Sequence, residues 1–299
     1  MLNVFLTVVF LAAAIQTIVP YRYGFCIWCA VPSKITVMRA FSIMYHDVVE
    51  GAAYESSGFP GEGAHIYKLR REDFASQLEA IRAAVPSTAV GVIAQRRDIA
   101  GAPPVFLTFD DGGVSFHTPI AALLEQFGWR GHFFITTGRI GTPGFLDQAQ
   151  LRDLHRRGHV IGSHSHTHPT RMAALTAEEM AEQWRESLTR LADILGQPVK
   201  VASVPGGYYS RTVARTAAAA GIEVLFNSEP TASAALTDGC LVLGRYVVKR
   251  GMGPKWAAGF AAGRLVPRWK QTALWKAKRV AKAVGGGAYL KVRQAILDR

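Results

Sequence analysis

Cysteine is scarce in this chain of 299 residues, which holds three: Cys26, Cys29 and Cys240. A small, odd number of cysteines excludes a disulfide framework of the kind that staples small secreted domains. The "CIWC" spacing of Cys26 and Cys29 would suit a redox pair or half of a zinc site. However, no second CxxC and no thioredoxin-like strand accompany it. We therefore interpret the cysteines as inert.

Charged side chains are absent from residues 1–20. This stretch could span a bilayer, act as a secretion signal, or precede a true start at Met38. The basic n-region of a signal peptide is missing, whereas Arg22, Lys34 and Arg39 follow the apolar stretch, which fits an anchor with its C-terminal side in the cytoplasm. We expect a cytoplasmic or inner-membrane-associated protein, with a periplasmic location as the alternative.

Acidic residues are nearly absent from residues 255–299, where eleven Lys and Arg face Asp298 alone and give a net charge of +10. Basic helices with interfacial tryptophans can lie on an anionic membrane surface or bind an acidic polymer; a solvated helical tail is the alternative. No nucleic-acid recognition motif accompanies the charge, so no specific nucleic-acid partner is expected. The chain thus divides into a hydrophobic N-terminal segment (1–40), a folded domain (41–250) and a basic helical tail (251–299).

Apolar runs typical of buried strands alternate with segments of helical periodicity across residues 43–248, which predicts βα units around a parallel sheet. Thr176 and Glu179 have capping-box spacing before a helix that Gly196 can end. The pattern predicts the α/β class and an irregular (β/α) barrel of about seven strands, similar to a TIM barrel, followed by the basic helical tail. An open doubly wound sheet is the alternative, although no glycine-rich phosphate loop marks a switch point.

The motif "LTFDDGG" (107–113) places Asp110 and Asp111 at the C-terminal end of a predicted buried strand, where barrel enzymes carry their working residues. Adjacent residues at a strand end point in different directions, so the two carboxylates can have two roles. A turn that caps the next helix is the alternative interpretation.

The motif "HSHTHP" (164–169) follows another predicted strand, and its histidines can supply imidazole ligands to a divalent metal. His164 and His168 are one helical turn apart and could converge on one ion, with a carboxylate from a neighbouring strand as the third ligand. His166 should face away from both. A polar, solvent-facing loop is the alternative.

These two motifs, in this order, resemble those of the polysaccharide deacetylases of the NodB-homology family, carbohydrate esterase family 4, over about residues 43–250. "TFDDG" matches the first family motif and "HSHTH" matches the second. The resemblance implies that Asp110 is the catalytic base and that Asp111, His164 and His168 hold one divalent metal. The implied metal is zinc, with cobalt or manganese as alternatives, and the implied substrate is an acetylated glycan.

The third family motif is altered in "SVPGG" (203–207). Pro205 and Gly206 fit the motif, and the Gly206 N–H is the expected donor to the oxyanion. Ser203, however, stands where the family has an arginine that orients the catalytic aspartate. Arg245, on the last predicted strand, is the expected substitute, with a surface or loop-tethering role as its alternative.

The family's late histidine, which serves as general acid, has no counterpart, because no histidine follows His168. Expulsion of an amine needs a proton donor, so the acid must come from elsewhere. "IMYHDV" (43–48) is similar to the early histidine motif of the poly-N-acetylglucosamine deacetylases. That similarity implies His46 as general acid, with Asp47 orienting its ring. A buried structural histidine is the alternative.

The residues and the resemblance together predict a metal-dependent hydrolase that removes N-acetyl groups from a polysaccharide or oligosaccharide containing N-acetylhexosamine. The expected glycan is of the chitooligosaccharide or exopolysaccharide type. The altered third motif and the missing late histidine leave a catalytically inactive carbohydrate-binding homologue as one alternative. The other alternative is an O-acetyl esterase, whose leaving group depends less on a proton donor.

Overall fold

The computed structural model of this chain describes residues 39–93, 103–277 and 279. The predictions for Cys26, Cys29, the hydrophobic segment before residue 39 and the end of the basic tail lie outside the described residues. Within the described part of the chain, no helix is both long and apolar enough to cross a membrane.

Most of the described strands form one curled, mainly parallel sheet. The strands are β1 (Phe41–Tyr45), β2 (Val48–Val49), β3 (Leu69–Arg70), β4 (Val105–Phe109), β5 (His132–Ile135), β6 (Val160–Ser163), β7 (Val201–Ser203), β8 (Val224–Phe226), β9 (Ala234–Thr237), β10 (Cys240–Leu243) and β11 (Tyr246–Val247). The main sheet has the order β11-β1-β4-β5-β6-β7-β8-β10-β9, and β2 pairs with β3 separately. All neighbours in the main sheet are parallel except β9 and β10. The predicted α/β class is confirmed.

The main sheet has nine strands, two more than the seven apolar runs of the sequence, for two reasons. The apolar run 241–248 breaks at Gly244, where the Glu229 carbonyl leaves no room for a side chain, and it therefore forms both β10 and β11. Arg245 lies between these two strands, so its predicted position on a strand is wrong. The strand β9 was not predicted, because it is an antiparallel edge strand whose residues remain largely exposed.

The sheet curls into a half-barrel because the segments that precede β1 and β9 meet, although these strands are far apart in the sheet order. Arg39 forms an antiparallel bridge with Ser233, and the Ala40 N–H donates to the Ala232 carbonyl over 2.9 Å. The sheet order nevertheless ends at β11 on one side and at β9 on the other. The predicted irregular barrel is thus confirmed as a half-barrel, whose sheet stays open between β11 and β9.

Helices connect the strands and cover the sheet. They are α1 (Glu62–His65), α2 (Arg71–Ala84), α3 (Ile120–Gln126), α4 (Gln148–Arg156), α5 (Ala177–Leu195), α6 (Arg211–Ala219) and α7 (Pro254–Ala261). The predicted capping box is present on α5: Thr176 accepts from the Glu179 N–H, and the Glu179 side chain accepts from the Thr176 N–H. Gly196 ends α5 with a φ of 71°, a left-handed conformation that glycine adopts at little cost.

Residues 265–277 form a further helical segment that contacts β11 and the neighbouring loop. The Gln271 side chain accepts from the Val247 N–H over 3.0 Å and donates to the Val247 carbonyl over 2.8 Å. Thr272 donates to the Pro230 carbonyl, and Arg268 donates to the Tyr246 hydroxyl. These bonds dock the first part of the basic segment next to the C-terminal edge of the sheet.

Candidate active site

Strand register brings the functional residues of distant motifs to one edge of the sheet. Tyr45 at the end of β1 pairs with Phe109 at the end of β4, so His46 and Asp110 both lie immediately beyond that edge. His164 follows the end of β6 in the same way. Because the carboxyl ends of parallel strands meet on one side, residues far apart in the chain share one site.

Asp111, His164 and His168 form a cluster in which one ligand atom from each lies within 4.8 Å of the others. Oδ1 of Asp111 is 3.5 Å from Nε2 of His164 and 3.4 Å from Nε2 of His168. Burial raises the pKa of Asp111, but the two neighbouring histidines outweigh it and hold that pKa well below its usual value. Burial lowers the pKa of His168, but the Asp111 carboxylate more than offsets it. One carboxylate and two imidazoles form a donor set that suits zinc and similar divalent ions.

Two of these three residues have strained backbones. Asp111 has a φ of 88° and His168 a φ of 59°, in the left-handed region that side chains other than glycine rarely occupy. Such conformations cost about 1–3 kcal/mol each and persist where the surroundings over-determine them, most often at functional sites. The surrounding fold therefore holds the backbone of the cluster in a strained conformation. A polar, solvent-facing loop would have no need of such strain.

Ser203, which stands in place of the family arginine, connects the cluster to Asp110. Nδ1 of His164 is 2.6 Å from the Ser203 hydroxyl and 3.1 Å from the Ser203 carbonyl oxygen. A carbonyl oxygen can only accept, so Nδ1 carries the proton and Nε2 keeps the lone pair that a metal needs. The Ser203 hydroxyl donates in turn to Oδ1 of Asp110 over 3.1 Å.

Arg245 holds Asp110 through a buried, two-pronged ion pair. Nη1 donates to Oδ1 over 2.6 Å and Nη2 donates to Oδ2 over 2.7 Å, and both residues are buried. The Arg245 Nε donates to the Asn227 carbonyl, which fixes the plane of the guanidinium. Burial raises the pKa of Asp110, but the Arg245 guanidinium more than offsets this effect, so the pKa of Asp110 lies below its usual value. Asp110 is therefore an ionised carboxylate at neutral pH.

Replacing Arg245 with methionine should lower the free energy of unfolding at pH 7 by about 3–5 kcal/mol, because a buried carboxylate would lose its cation. Since the pKa of Asp110 is lowered in the fold, the pair contributes stability above the unfolded carboxyl pKa of about 4 and loses it as pH falls through the folded value. The difference between wild type and variant in urea unfolding should accordingly shrink toward acid pH.

The control for this experiment is Arg71→Met, which breaks an exposed pair with Glu50. It should change the free energy of unfolding by less than about 0.5 kcal/mol. Equal losses in Arg71→Met and Arg245→Met would contradict a buried pair at Asp110.

His46 lines the same cavity of about 1120 Å³ as Asp110 and the Asp111, His164 and His168 cluster. Its ring lies 4.6 Å from the ring of Tyr67. Burial lowers the pKa of His46, against the attraction of the two aspartates, and the net shift is downward. Nδ1 of His46 is buried and has no hydrogen-bond partner among the described residues. The ring is thus held by packing in the cavity that the carboxylates also line.

Asp47 does not orient the His46 ring, so that expectation is wrong. Its Oδ1 accepts from the hydroxyls of Ser57 and Ser115 over 2.5 and 2.7 Å. Burial raises the pKa of Asp47 to about 6, against the lowering effect of these hydrogen bonds. Asp47 instead ties the loop after β2 to the segment after Asp110 and Asp111.

The loop over residues 54–59 forms part of the rim of the cavity. The Lys68 ammonium donates to the carbonyl oxygens of Tyr54, Ser57 and Phe59 over 2.6–2.7 Å. Phe59 in turn lies 4.9 Å from the ring of His168. Lys68, which no motif of the sequence singles out, thus fixes the wall beside the cluster.

Gly206 also lines the cavity, whereas His166 does not. Gly206 has a φ of 64°, and a side chain there would collide with the Thr170 carbonyl, 2.6 Å from an added Cβ. His166 faces Thr137 and Glu186 instead of the cluster, as its place in the motif predicted.

Comparisons with known proteins agree on one family. Residues 98–225 match the family model described as polysaccharide deacetylase. The Bacillus subtilis protein YxkH is 26% identical over 148 residues, which are 50% of this chain and 52% of YxkH. The chitooligosaccharide deacetylase of Bradyrhizobium sp. (strain ANU 289) is 32% identical over 130 residues, 42% of this chain and 56% of that protein.

A solved structure extends the likeness to most of the described fold. The Streptococcus pyogenes deacetylase PplD in complex with acetate superposes with a TM-score of 0.59 and 19% identity, over 74% of this chain and 96% of that one. At this identity the likeness establishes the fold alone. The chain spans about half the length of the first curated relative that it matches.

Proposed function

Because residues 98–225 match the family model described as polysaccharide deacetylase, we propose that this chain is a metal-dependent hydrolase that removes N-acetyl groups from a glycan containing N-acetylhexosamine. The proposed substrates are of the chitooligosaccharide or exopolysaccharide type. One observation carries the proposal: an ionised Asp110, held by Arg245, lies in one cavity with the Asp111, His164 and His168 cluster. The intact pair argues against an inactive carbohydrate-binding homologue, which would not need a prepared base.

The donor set fits the proposed metal. Asp111, His164 and His168 offer one carboxylate and two imidazoles within reach of a single ion, and the Ser203 carbonyl sets the His164 tautomer that frees Nε2. We propose zinc as the ion, with cobalt and manganese as alternatives. When bound, such an ion polarises the amide carbonyl and lowers the pKa of water.

The residues of this chain then supply the proton transfers. Asp110, ionised and oriented by Arg245, accepts the proton of the attacking water. The Gly206 N–H donates to the oxyanion that forms on the amide carbonyl. His46, across the same cavity, protonates the nitrogen of the departing amine. Arg245 in this scheme acts through Asp110 and does not touch the substrate.

Removal of the metal should abolish acetate release from an N-acetylglucosamine tetramer, because Asp110 alone cannot activate both the water and the amide. The test is acetate release before dialysis against a chelator, after it, and after zinc is added back. Activity should disappear and return. Full activity in protein shown by elemental analysis to lack metal would contradict the proposal.

Replacing Ser203 with alanine should weaken zinc binding about tenfold, the lower end of the effect of losing a partner of a ligating histidine. The effect is at the lower end because the Ser203 carbonyl oxygen still accepts from Nδ1 of His164. Competition with a chelator measures the affinity. The control Thr216→Ala removes a buried hydroxyl that donates to Val213 in α6 and should leave zinc affinity unchanged. Unaltered affinity in Ser203→Ala would show that the hydroxyl does not position His164.

A further inference from the structure

The cavity that contains the proposed catalytic residues has a second, apolar end. Beyond His46 and Tyr67 it is bounded by β11, by α7 and by the helical segment at residues 265–277. Six residues line this end, which we call the apolar arm: Ile66, Val247, Met252, Trp256, Leu274 and Trp275. None of them has a part in the proposed proton transfers.

The side chains of the apolar arm are incompletely covered. Trp256 and Trp275 are half-buried, and Leu274 is 62% exposed. Removing apolar surface from water lowers the free energy. Concave sites lined by apolar side chains therefore bind the apolar groups of ligands. The apolar arm is therefore able to bind a group that enters the cavity together with the substrate.

Two polar side chains beside the apolar arm, Gln271 and Lys249, are already engaged within the protein. The Gln271 amide uses its oxygen and its nitrogen on the backbone of Val247. The Lys249 ammonium lies 4.9 Å from the ring centre of Tyr67. A further sugar ring could stack on a tryptophan, but its hydroxyls would lose water without gaining matching partners, which is costly. A hydrocarbon group has no hydroxyls to satisfy and fits this lining better.

We propose that the substrate is an amphiphilic glycoside: its N-acetyl group reaches Asp110 while a hydrocarbon substituent lies in the apolar arm. This proposal rests on the proposed function, because it places the N-acetylhexosamine at the catalytic residues. It refines that function from an acetylated glycan in general to one that carries an apolar chain.

Equilibrium binding of deacetylated products tests the proposal without turnover. The probes are methyl glucosaminide, octyl glucosaminide and a glucosamine tetramer, each titrated into the zinc-loaded full chain by calorimetry below the micelle-forming concentration. Octyl glucosaminide should bind at least tenfold more tightly than methyl glucosaminide, since each methylene that is buried strengthens binding about fourfold. The increase in affinity from methyl glucosaminide to the tetramer should be much smaller. Equal affinities for the two glycosides, or a gain for the tetramer alone, would overturn the proposal.

Variants on one helical segment locate the effect. Trp275→Ala, which removes a side chain of the apolar arm, should reduce the octyl advantage to less than about threefold. Its matched control is Trp269→Ala, on the same segment, where the tryptophan is 70% exposed and does not line the cavity. The control should keep the full advantage. An equal loss in both variants would place the hydrocarbon chain outside the apolar arm and contradict the proposal.

The outcome for this proposal is separable from that for the proposed function. Acetate release from methyl N-acetylglucosaminide without any octyl advantage in binding contradicts the amphiphilic substrate and leaves the deacetylase intact. An octyl advantage in binding without acetate release from either N-acetyl glycoside supports the apolar arm and contradicts the deacetylase. The comparison of the two glycosides on the wild-type chain does not depend on the folding of any variant.

Discussion

Replacing His46 with asparagine is expected to lower acetate release from an N-acetyl sugar by about 10²–10⁴-fold, the usual contribution of a positioned general acid. The reason is the leaving group, because an amine cannot depart as an anion and must receive a proton. His46 is the histidine that lines the cavity without belonging to the Asp111, His164 and His168 cluster. The measurement is kcat/KM for acetate release by zinc-loaded wild type and variant.

A second substrate separates proton donation from a structural role of His46. 4-Nitrophenyl acetate has a leaving group that departs without a proton, so its hydrolysis at the same site should change by less than about tenfold in His46→Asn. Parallel losses on the amide and on this ester would mean that the ring supports the shape of the site. Undiminished amide hydrolysis would exclude His46 as the acid.

The sequence was sufficient to predict the residues that lie in contiguous motifs beside strand ends. Asp110 and Asp111 follow β4, and His164 and His168 follow β6, so the strand pattern alone places them at one edge of the sheet. The α/β class was predictable for the same reason, because alternating apolar runs and helical segments specify a parallel sheet. The number of strands was not predictable, because the break at Gly244 depends on the backbone of Glu229, which approaches from elsewhere in the chain.

Contacts between motifs were harder to predict than the motifs themselves. Ser203 looked like the loss of an arginine, but its partnership with Asp110 and His164 depends on how β7 lies relative to β4 and β6. Arg245 was identified as the substitute, yet its two-pronged geometry depends on the loop between β10 and β11. Asp47 was assigned to His46 because they are adjacent in sequence. Adjacent residues at a strand end point apart, and Asp47 faces the serines.

Replacing Asp110 with asparagine is the second change with a large expected effect, about 10²–10⁴-fold on acetate release. Asparagine keeps the shape of the side chain and can still accept from Arg245, but it cannot take a proton from water. Zinc content should stay unchanged, because Asp110 is not one of the three residues of the cluster. Asp111→Asn, in contrast, should lower both the zinc content and the rate.

Acetate release from an N-acetylglucosamine tetramer by the zinc-loaded chain, compared between wild type and Asp110→Asn, decides whether Asp110 acts as the base of a deacetylase. We expect measurable release by the wild type and a loss of at least about 100-fold in the variant at equal zinc content. Release that is unchanged in Asp110→Asn would contradict the proposed mechanism, and a wild-type chain that releases acetate from no acetylated glycan would contradict the proposed function.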